Sequence, residues 1–141
     1  MQRAHKEIEL AVRTGRQPNA LTHALAAVAR AGVNVLAYCS YTDRSDAVLL
    51  LVTNDAAGAK AAIEAAGFAC RANAVVMVGA KDQVGAVAQL GAQLGEAGIG
   101  ILYSYASSAS GQDDFCAVFK TMNDEAAIRI LQGASRAAEA A

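Results

Sequence analysis

Displaced by 66 positions, so that residue 16 falls on residue 82, the chain overlays itself without a gap from 16–42 to 82–108. Gln17 meets Gln83, Ala20 meets Ala86, Ala26 meets Ala92, Ala31-Gly32 meets Ala97-Gly98 and Leu36 meets Leu102. Between the identities, size and polarity are kept: Leu21 lies over Val87, Val28 over Leu94, Val33 over Ile99 and Val35 over Ile101. Further along, the register shifts by three and sets Asn54-Asp55 on Asn123-Asp124. A period of roughly 70 residues is too long for a solenoid repeat and fits two copies of one small domain. In such an architecture, function concentrates where copies meet.

Within 141 residues, two units of this size would each be marginal alone, because small domains bury too little of their surface. The hydrophobic fraction of 55% is dominated by Ala, with three Phe, four Tyr and no Trp. The core is therefore expected to be thin and built from Val, Leu, Ile and Ala. The net charge of -1 is spread along the chain. No basic stripe points to nucleic acid, and no charge block points to a disordered tail. The apolar runs at 47–52 and 74–78 are too short to span a bilayer, and the N-terminus carries no apolar segment of signal type. A cytoplasmic protein is expected. Cys39, Cys70 and Cys116 are odd in number and form no CxxC pair, which argues against a secreted disulfide framework. They read as small core residues.

Lys6 to Arg13 alternates polar and apolar, as a half-buried strand does. A loop follows, with Pro18 suited to the first turn of a helix. Leu21, Leu25 and Val28 recur at helical spacing up to Gly32, a natural C-terminal stop. Residues 33–42 read as a strand, 42–46 as a turn, and 47–53 as a strand apolar enough to be central. Asn54 or Asp55 can cap the next helix, whose Ala59, Ile63 and Ala66 would face inward, with Lys60 and Glu64 paired on the exposed side. Gly67 ends it, and 68–72 forms a short strand.

The second copy repeats the order: strand 74–80, a helix with Val87, Leu90 and Leu94 inward and Gly98 closing it, strand 99–106, strand 115–122, and a helix from Asn123-Asp124. The fold class is α+β: two ferredoxin-like βαββαβ repeats, antiparallel sheets with helices on one face. The expected domains are 1–72 and 73–141. One element is missing. Residues 133–141 are Ala-rich and do not look like a fourth strand for the second copy; they either extend the last helix or fray, leaving a sheet edge open.

The loop before each first helix, Arg16-Gln17-Pro18-Asn19-Ala20-Leu21 and Asp82-Gln83-Val84-Gly85-Ala86-Val87, repeats at the same place in both copies. So does the approach to each second strand, Ala31-Gly32-Val33-Asn34-Val35 and Ala97-Gly98-Ile99-Gly100-Ile101. With these motifs in place, residues 6–132 resemble tandem ACT domains of the stand-alone, amino-acid-sensing regulatory type. The resemblance implies an allosteric regulatory module whose small-molecule ligand, an amino acid, sits between the first loop of one unit and the second strand of another. The implied site residues are Arg16, Gln17, Pro18, Asn19, Ala20, Leu21, Asn34 and Val35 in the first copy. In the second they are Asp82, Gln83, Val84, Gly85, Ala86, Gly100 and Ile101. The copies depart from the family pattern in complementary ways. Arg16 stands where the family often has Asp and Asn19 where it has Gly, while the second copy has Val84 for Pro and Gly100 opposite Asn34. Either both half-sites are degenerate, or they bind different ligands, or one alone binds.

Backbone N–H groups at a helix start favour an anion, so either loop suits a ligand carboxylate. Gly85 permits close approach, and Asp82 or Asn34 could take an ammonium group. Asp82 reads either as a ligand contact or as a helix cap; for Asn19, capping is the leading reading. Tyr103 and Tyr105 are expected on one strand face with Ile99 and Ile101. Opposite them, Gly91, Gly95 and Gly98 would give close packing or a small pocket. His5 and His23 have no partner nearby in sequence, and His23 reads as a solvated helix position.

No nucleophile elbow, phosphate loop or dinucleotide motif is present, and no residues are grouped for acid–base or metal catalysis. No catalytic residue, metal or cofactor is expected, and no nucleic-acid or membrane partner. A homodimer is expected, because thin cores and open faces gain by assembly. An enzyme partner is the alternative: the chain as a non-catalytic subunit of a biosynthetic enzyme, with vestigial pockets.

Overall fold

The computed structural model describes residues 2–44 and 46–141. Its elements are β1 (Arg3–Arg13), α1 (Ala20–Arg30), β2 (Val35–Asp43), β3 (Asp46–Thr53), α2 (Ala56–Ala65), β4 (Ala69–Lys81), α3 (Ala86–Glu96), β5 (Ile101–Ser108), β6 (Asp114–Thr121) and α4 (Asp124–Ala140). This is an α+β chain, and its strand ladders β1–β3, β2–β3, β4–β6 and β5–β6 are antiparallel. The chain divides into two compact units, Ile8–Asn73 and Met1–Glu7 with Ala74–Ala141. The strand order is β2-β3-β1-β4 in the first unit and β1-β4-β6-β5 in the second.

The first seven residues thus group with the second unit, rather than with the first as a division at 72/73 would have it. Strand β1 begins at Arg3, three residues before the alternating pattern becomes legible. In its first half only Ala4 is buried, and Ala4 packs in the second unit's core with Val76, Val78, Leu90, Leu94 and Leu131. Gln132 Nε2 donates to the Ala4 carbonyl at 3.0 Å, and Gln2 Nε2 donates to the Leu131 carbonyl at 2.9 Å and to Gln93 Oε1 at 3.1 Å. The fourth strand absent from the C-terminus is supplied by residues 3–7, and residues 133–140 continue α4. Likewise, 68–72 and 74–80 are not two strands: β4 runs unbroken over 13 residues, because Ala72-Asn73 contains neither Gly nor Pro to turn the chain.

In the first unit, Leu10 and Val12 of β1 and Leu49 and Leu51 of β3 pack against Ala24 and Val28 of α1 and Ala59 and Ile63 of α2. In the second, Phe115, Ala117 and Phe119 of β6 pack with Val76 and Val78 of β4 against Ala86, Leu90 and Leu94 of α3 and Ala127 and Leu131 of α4. Each unit therefore places its two helices on one face of its strands.

The repeated Ala-Gly-hydrophobic motif has a specific physical origin. Gly32 N donates to the Ala29 carbonyl and Val33 N to the Val28 carbonyl, the paired bonds that close a helix through a left-handed residue. Gly32 has φ +74°, a conformation glycine adopts without the steric cost of a Cβ. Gly98 and Ile99 form the same pair with Gly95 and Leu94, and Gly67 and Phe68 with Glu64 and Ile63. Val28 and Val33 share one core, and Leu94 and Ile99 the other. The self-match is strong at these positions because the stop needs the glycine and the apolar residue after it together.

Several local expectations are corrected. Pro18 lies in the turn before α1, which starts at Ala20. Ala66 is exposed because α2 has already ended at Ala65. Val87 is 54% exposed, and Ala86, Leu90 and Leu94 face inward; the start of α3 at Ala86 fixes that phase. Tyr103 and Tyr105 do not pack closely on Gly91, Gly95 and Gly98, since a Cβ at any of the three would meet nothing within 4 Å. A bulge between Ile101 and Tyr103 pairs them with Thr121 and Lys120. Those two are adjacent residues, so Ile101 and Tyr103 fall on opposite faces. Of the expected turn at 42–46, Ser45 lies outside the described residues.

The later register shift is two residues, not three. Asp55 caps α2 by accepting from Gly58 N, and Asn123 caps α4 by accepting from Ala126 N, so Asp55 is equivalent to Asn123. The bond from Asn54 N to the Asn34 carbonyl corresponds to that from Met122 N to the Gly100 carbonyl. Sequence identity had drawn the Asn-Asp pairs one residue out of structural register.

Candidate functional site

The loop after β1 is fixed by the hairpin beside it. Thr14 N donates to the Ala47 carbonyl at 2.9 Å, and Gly15 N donates to Asp46 Oδ1 at 2.7 Å. Arg16 Nη2 donates to the Arg44 carbonyl. Between loop and hairpin lies a cavity of about 530 Å3. One wall is 14–18 with Leu21 of α1, and the other is Ser40, Tyr41 and Thr42 of β2 with Ala47 and Val48 of β3. Tyr41 pairs with Val48 across the ladder and is 51% exposed, so its ring forms an accessible apolar wall with a polar tip.

The helix behind this loop starts without a side-chain cap. Asn19 occupies the capping position but makes no side-chain bond to the helix, which overturns the capping reading for this residue. Backbone carbonyls take only part of the first turn: Ala20 N donates to Gln17 O and His23 N to Asn19 O. The positive end of the α1 dipole therefore faces this loop without a compensating side chain, a setting that favours anions. Caps are present on α2 and α4, from Asp55 and Asn123. A second cavity of about 530 Å3 shares Thr14, Gly15, Gln17 and Pro18 with the first and takes in Asn19, Ala20 and His23. Asn34 and Val35 line neither. Asn34 N donates to Asn54 Oδ1 at 2.9 Å, and Val35 packs against the core.

The second loop is arranged differently. Asp82 is not the cap of α3: Gly85 holds that position at φ +87°, and Asp82 Oδ2 accepts from the Ser108 hydroxyl. Asp82 N donates to the Asp113 carbonyl at 2.8 Å. Val84 and Gln83 are exposed, and Ala86 is buried in the core. Gly100 is approached by the protein itself. A Cβ there would lie 2.8 Å from Met122 Cγ, so the thioether chain covers the position at which Asn34 stands in the first unit. Ile101 is partly exposed beside it.

Lys81 Nζ and Asp114 Oδ1 form an exposed ion pair at 2.8 Å. The bond to Lys81 holds the Asp114 carboxyl below the usual carboxylate range, and the bond to Asp114 raises the Lys81 ammonium above its usual value. The carboxylate's contribution to stability is present above the ordinary carboxylate range and is lost as pH falls through the lowered value. The lysine's is present below the ordinary lysine range and is lost as pH rises through the raised one. Exposed pairs contribute little to stability, so the effect is expected in titration: the Asp114 carboxyl, followed by NMR, should titrate below an unpaired Asp and move upward in Lys81→Met.

Sequence reasoning named Arg16, Gln17, Pro18 and Leu21 of the first cavity and missed Thr14, Gly15, Ser40, Thr42, Ala47 and Val48. Thr14 and Gly15 belong to the loop itself, and the other four are brought to it by the β2–β3 register, which no single motif announces. Among the described residues no group of three or more His, Cys, Asp or Glu is placed to hold a metal. No helix among them is long and apolar enough to cross a membrane.

No family model and no curated protein matches the chain. Solved structures do. A protein from Bacteroides thetaiotaomicron superposes with a TM-score of 0.85 at 21% identity, over 94% of this chain and 90% of the other. The ligand-free regulatory subunit of aspartate kinase from Thermus thermophilus gives 0.68 at 15% identity, over 94% and 95%. An aspartokinase alpha and beta subunit structure gives 0.63 at 20% identity, over 95% and 97%. At these identities the likeness is one of fold.

Proposed function

We propose that this chain is a regulatory module of tandem ACT type that binds an amino acid through the loop–hairpin cleft of its first unit. The observation that carries the reading is that cleft: about 530 Å3, with a helix start lacking a side-chain cap and Arg16 on one wall, and hydroxyl-bearing Ser40, Tyr41 and Thr42 on the other. A ligand carboxylate would meet the helix N-terminus and Arg16, and its ammonium would meet the hydroxyl oxygens. The fold likeness to regulatory subunits of aspartate kinase supports a regulatory rather than catalytic role. A homodimer or an enzyme partner is the assembly through which occupancy would be read.

In the second unit the start of α3 also lacks a side-chain cap, but Asp82 already accepts from Ser108 and the Met122 side chain covers Gly100. We assign it a scaffolding role, with one ligand per chain. That inequality is also what favours the alternative of an interaction subunit whose second pocket is vestigial. Calorimetric titration with each of the twenty L-amino acids tests the binding reading. A binder at a hundredfold excess over its Kd should stabilise the chain by about 2.7 kcal/mol and raise the unfolding midpoint. Absence of both heat and thermal shift with all twenty at millimolar concentration would contradict it.

A further inference from the structure

The cleft's shape depends on a residue that does not line it. Asp46 opens β3, and its side chain is 22% exposed. Its Oδ1 accepts from Gly15 N at 2.7 Å and from Ala47 N at 2.9 Å, and its Oδ2 lies 3.5 Å from Arg13 Nη1. One carboxylate thus joins the end of β1, the start of the cleft loop and the hairpin that forms the opposite wall. Bonds from N–H groups to an ionised acceptor are stronger than neutral ones, and two of these are to backbone, which fixes the position of the chain itself. The other ties across the same gap are Thr14 to the Ala47 carbonyl and Arg16 to the Arg44 carbonyl.

The second unit supplies an internal comparison. Asp114 opens β6 as Asp46 opens β3, and Lys81 stands where the 66-residue displacement puts Gly15. There the carboxylate meets a lysine side chain, 58% exposed like its partner. The backbone tie from loop to hairpin there runs from Asp82 N to the Asp113 carbonyl instead.

We infer that Asp46 is the positioning residue of the first unit's cleft, coupling the order of the loop at 14–18 to the β2–β3 hairpin. The inference rests on the binding reading for its functional consequence, and on the geometry alone for the latch. Replacing the carboxylate by Asp46→Ala removes every acceptor. Asp46→Asn keeps one carbonyl oxygen for Gly15 N and gives up the ion pair with Arg13.

Amide hydrogen exchange of the ligand-free full chain tests the latch. In Asp46→Ala, Gly15 should exchange about tenfold faster, with Leu90 and Leu94 of the second core unchanged. Asp46→Asn should return the rate to within about threefold of the wild type. Titration with the tightest-binding of the twenty L-amino acids should then show weaker binding in Asp46→Ala and recovery in Asp46→Asn. An unchanged Gly15 rate in Asp46→Ala would overturn the latch. A faster rate with unchanged affinity would overturn its role in positioning the site. If the wild type binds none of the twenty, the binding reading fails and the exchange result still decides the latch.

Discussion

Deleting residues 2–7 is expected to unfold the second unit, although most of that unit lies more than 65 positions away in the chain. The deletion removes Ala4 from the core of Val76, Val78, Leu90 and Leu94. It also removes the bonds that Gln2 and the Ala4 carbonyl make with Gln93, Leu131 and Gln132. With them goes the fourth strand of a four-stranded set. Each backbone hydrogen bond lost costs about 1 kcal/mol, and a unit of this size has a few to about ten kcal/mol in all. The loss is therefore comparable with the whole. Amides of Val76, Val78, Leu90 and Leu94 should lose protection, while those of Leu49 and Leu51 in the first unit should retain more of theirs. A synthetic peptide of residues 1–7, added in excess, should restore part of it. Equal protection in the full and shortened chains would show that residues 3–7 are not the missing strand.

The second large effect is at Ile63. It is fully buried in the first core, lies in α2 among Leu10, Leu49, Leu51 and Ala59, and its carbonyl accepts from Phe68 N where the helix closes. Ile63→Ala deletes apolar volume from a core of packed Leu and Val side chains, and such surroundings relax only partly into the space. A destabilisation of about 2–5 kcal/mol is expected in chemical unfolding. Val87→Ala is the matched control. Sequence periodicity placed Val87 inward, but it is 54% exposed, and its replacement should change stability by no more than about 0.5 kcal/mol. A large loss at Val87 would show that the phase of α3 is wrong.

What was legible in the sequence is what local chemistry dictates. Helix stops at Gly32, Gly67 and Gly98 announce themselves because a left-handed residue followed by an apolar one is a rare requirement. Strand β3 announces itself because both of its faces are buried. Strand β1's first half does not, since Arg3-Ala4-His5-Lys6-Glu7 puts a single small residue into the core and is otherwise polar. Its partner unit is fixed by long-range pairing, which no local pattern carries. The one-residue error at Asn123 arose because an Asn-Asp identity outweighed an equivalence set by capping bonds. The candidate cleft was half legible: the loop was read from its motif. Ser40, Thr42, Ala47 and Val48 were not, because they reach the loop only through hairpin register. Asp46 was visible only as a turn residue, and its bonds to Gly15 and Arg13 exist only in three dimensions.

We propose that the first unit's loop, and not the second's, receives the ligand. Chemical-shift mapping of the full chain during titration with the tightest-binding L-amino acid tests it most directly. Saturable shifts are expected at Gly15, Arg16, Gln17, Leu21, Tyr41 and Thr42, with Gln83, Val84, Gly85 and Val87 undisturbed. Saturable shifts confined to residues 82–87, or equal in both loops, would contradict it.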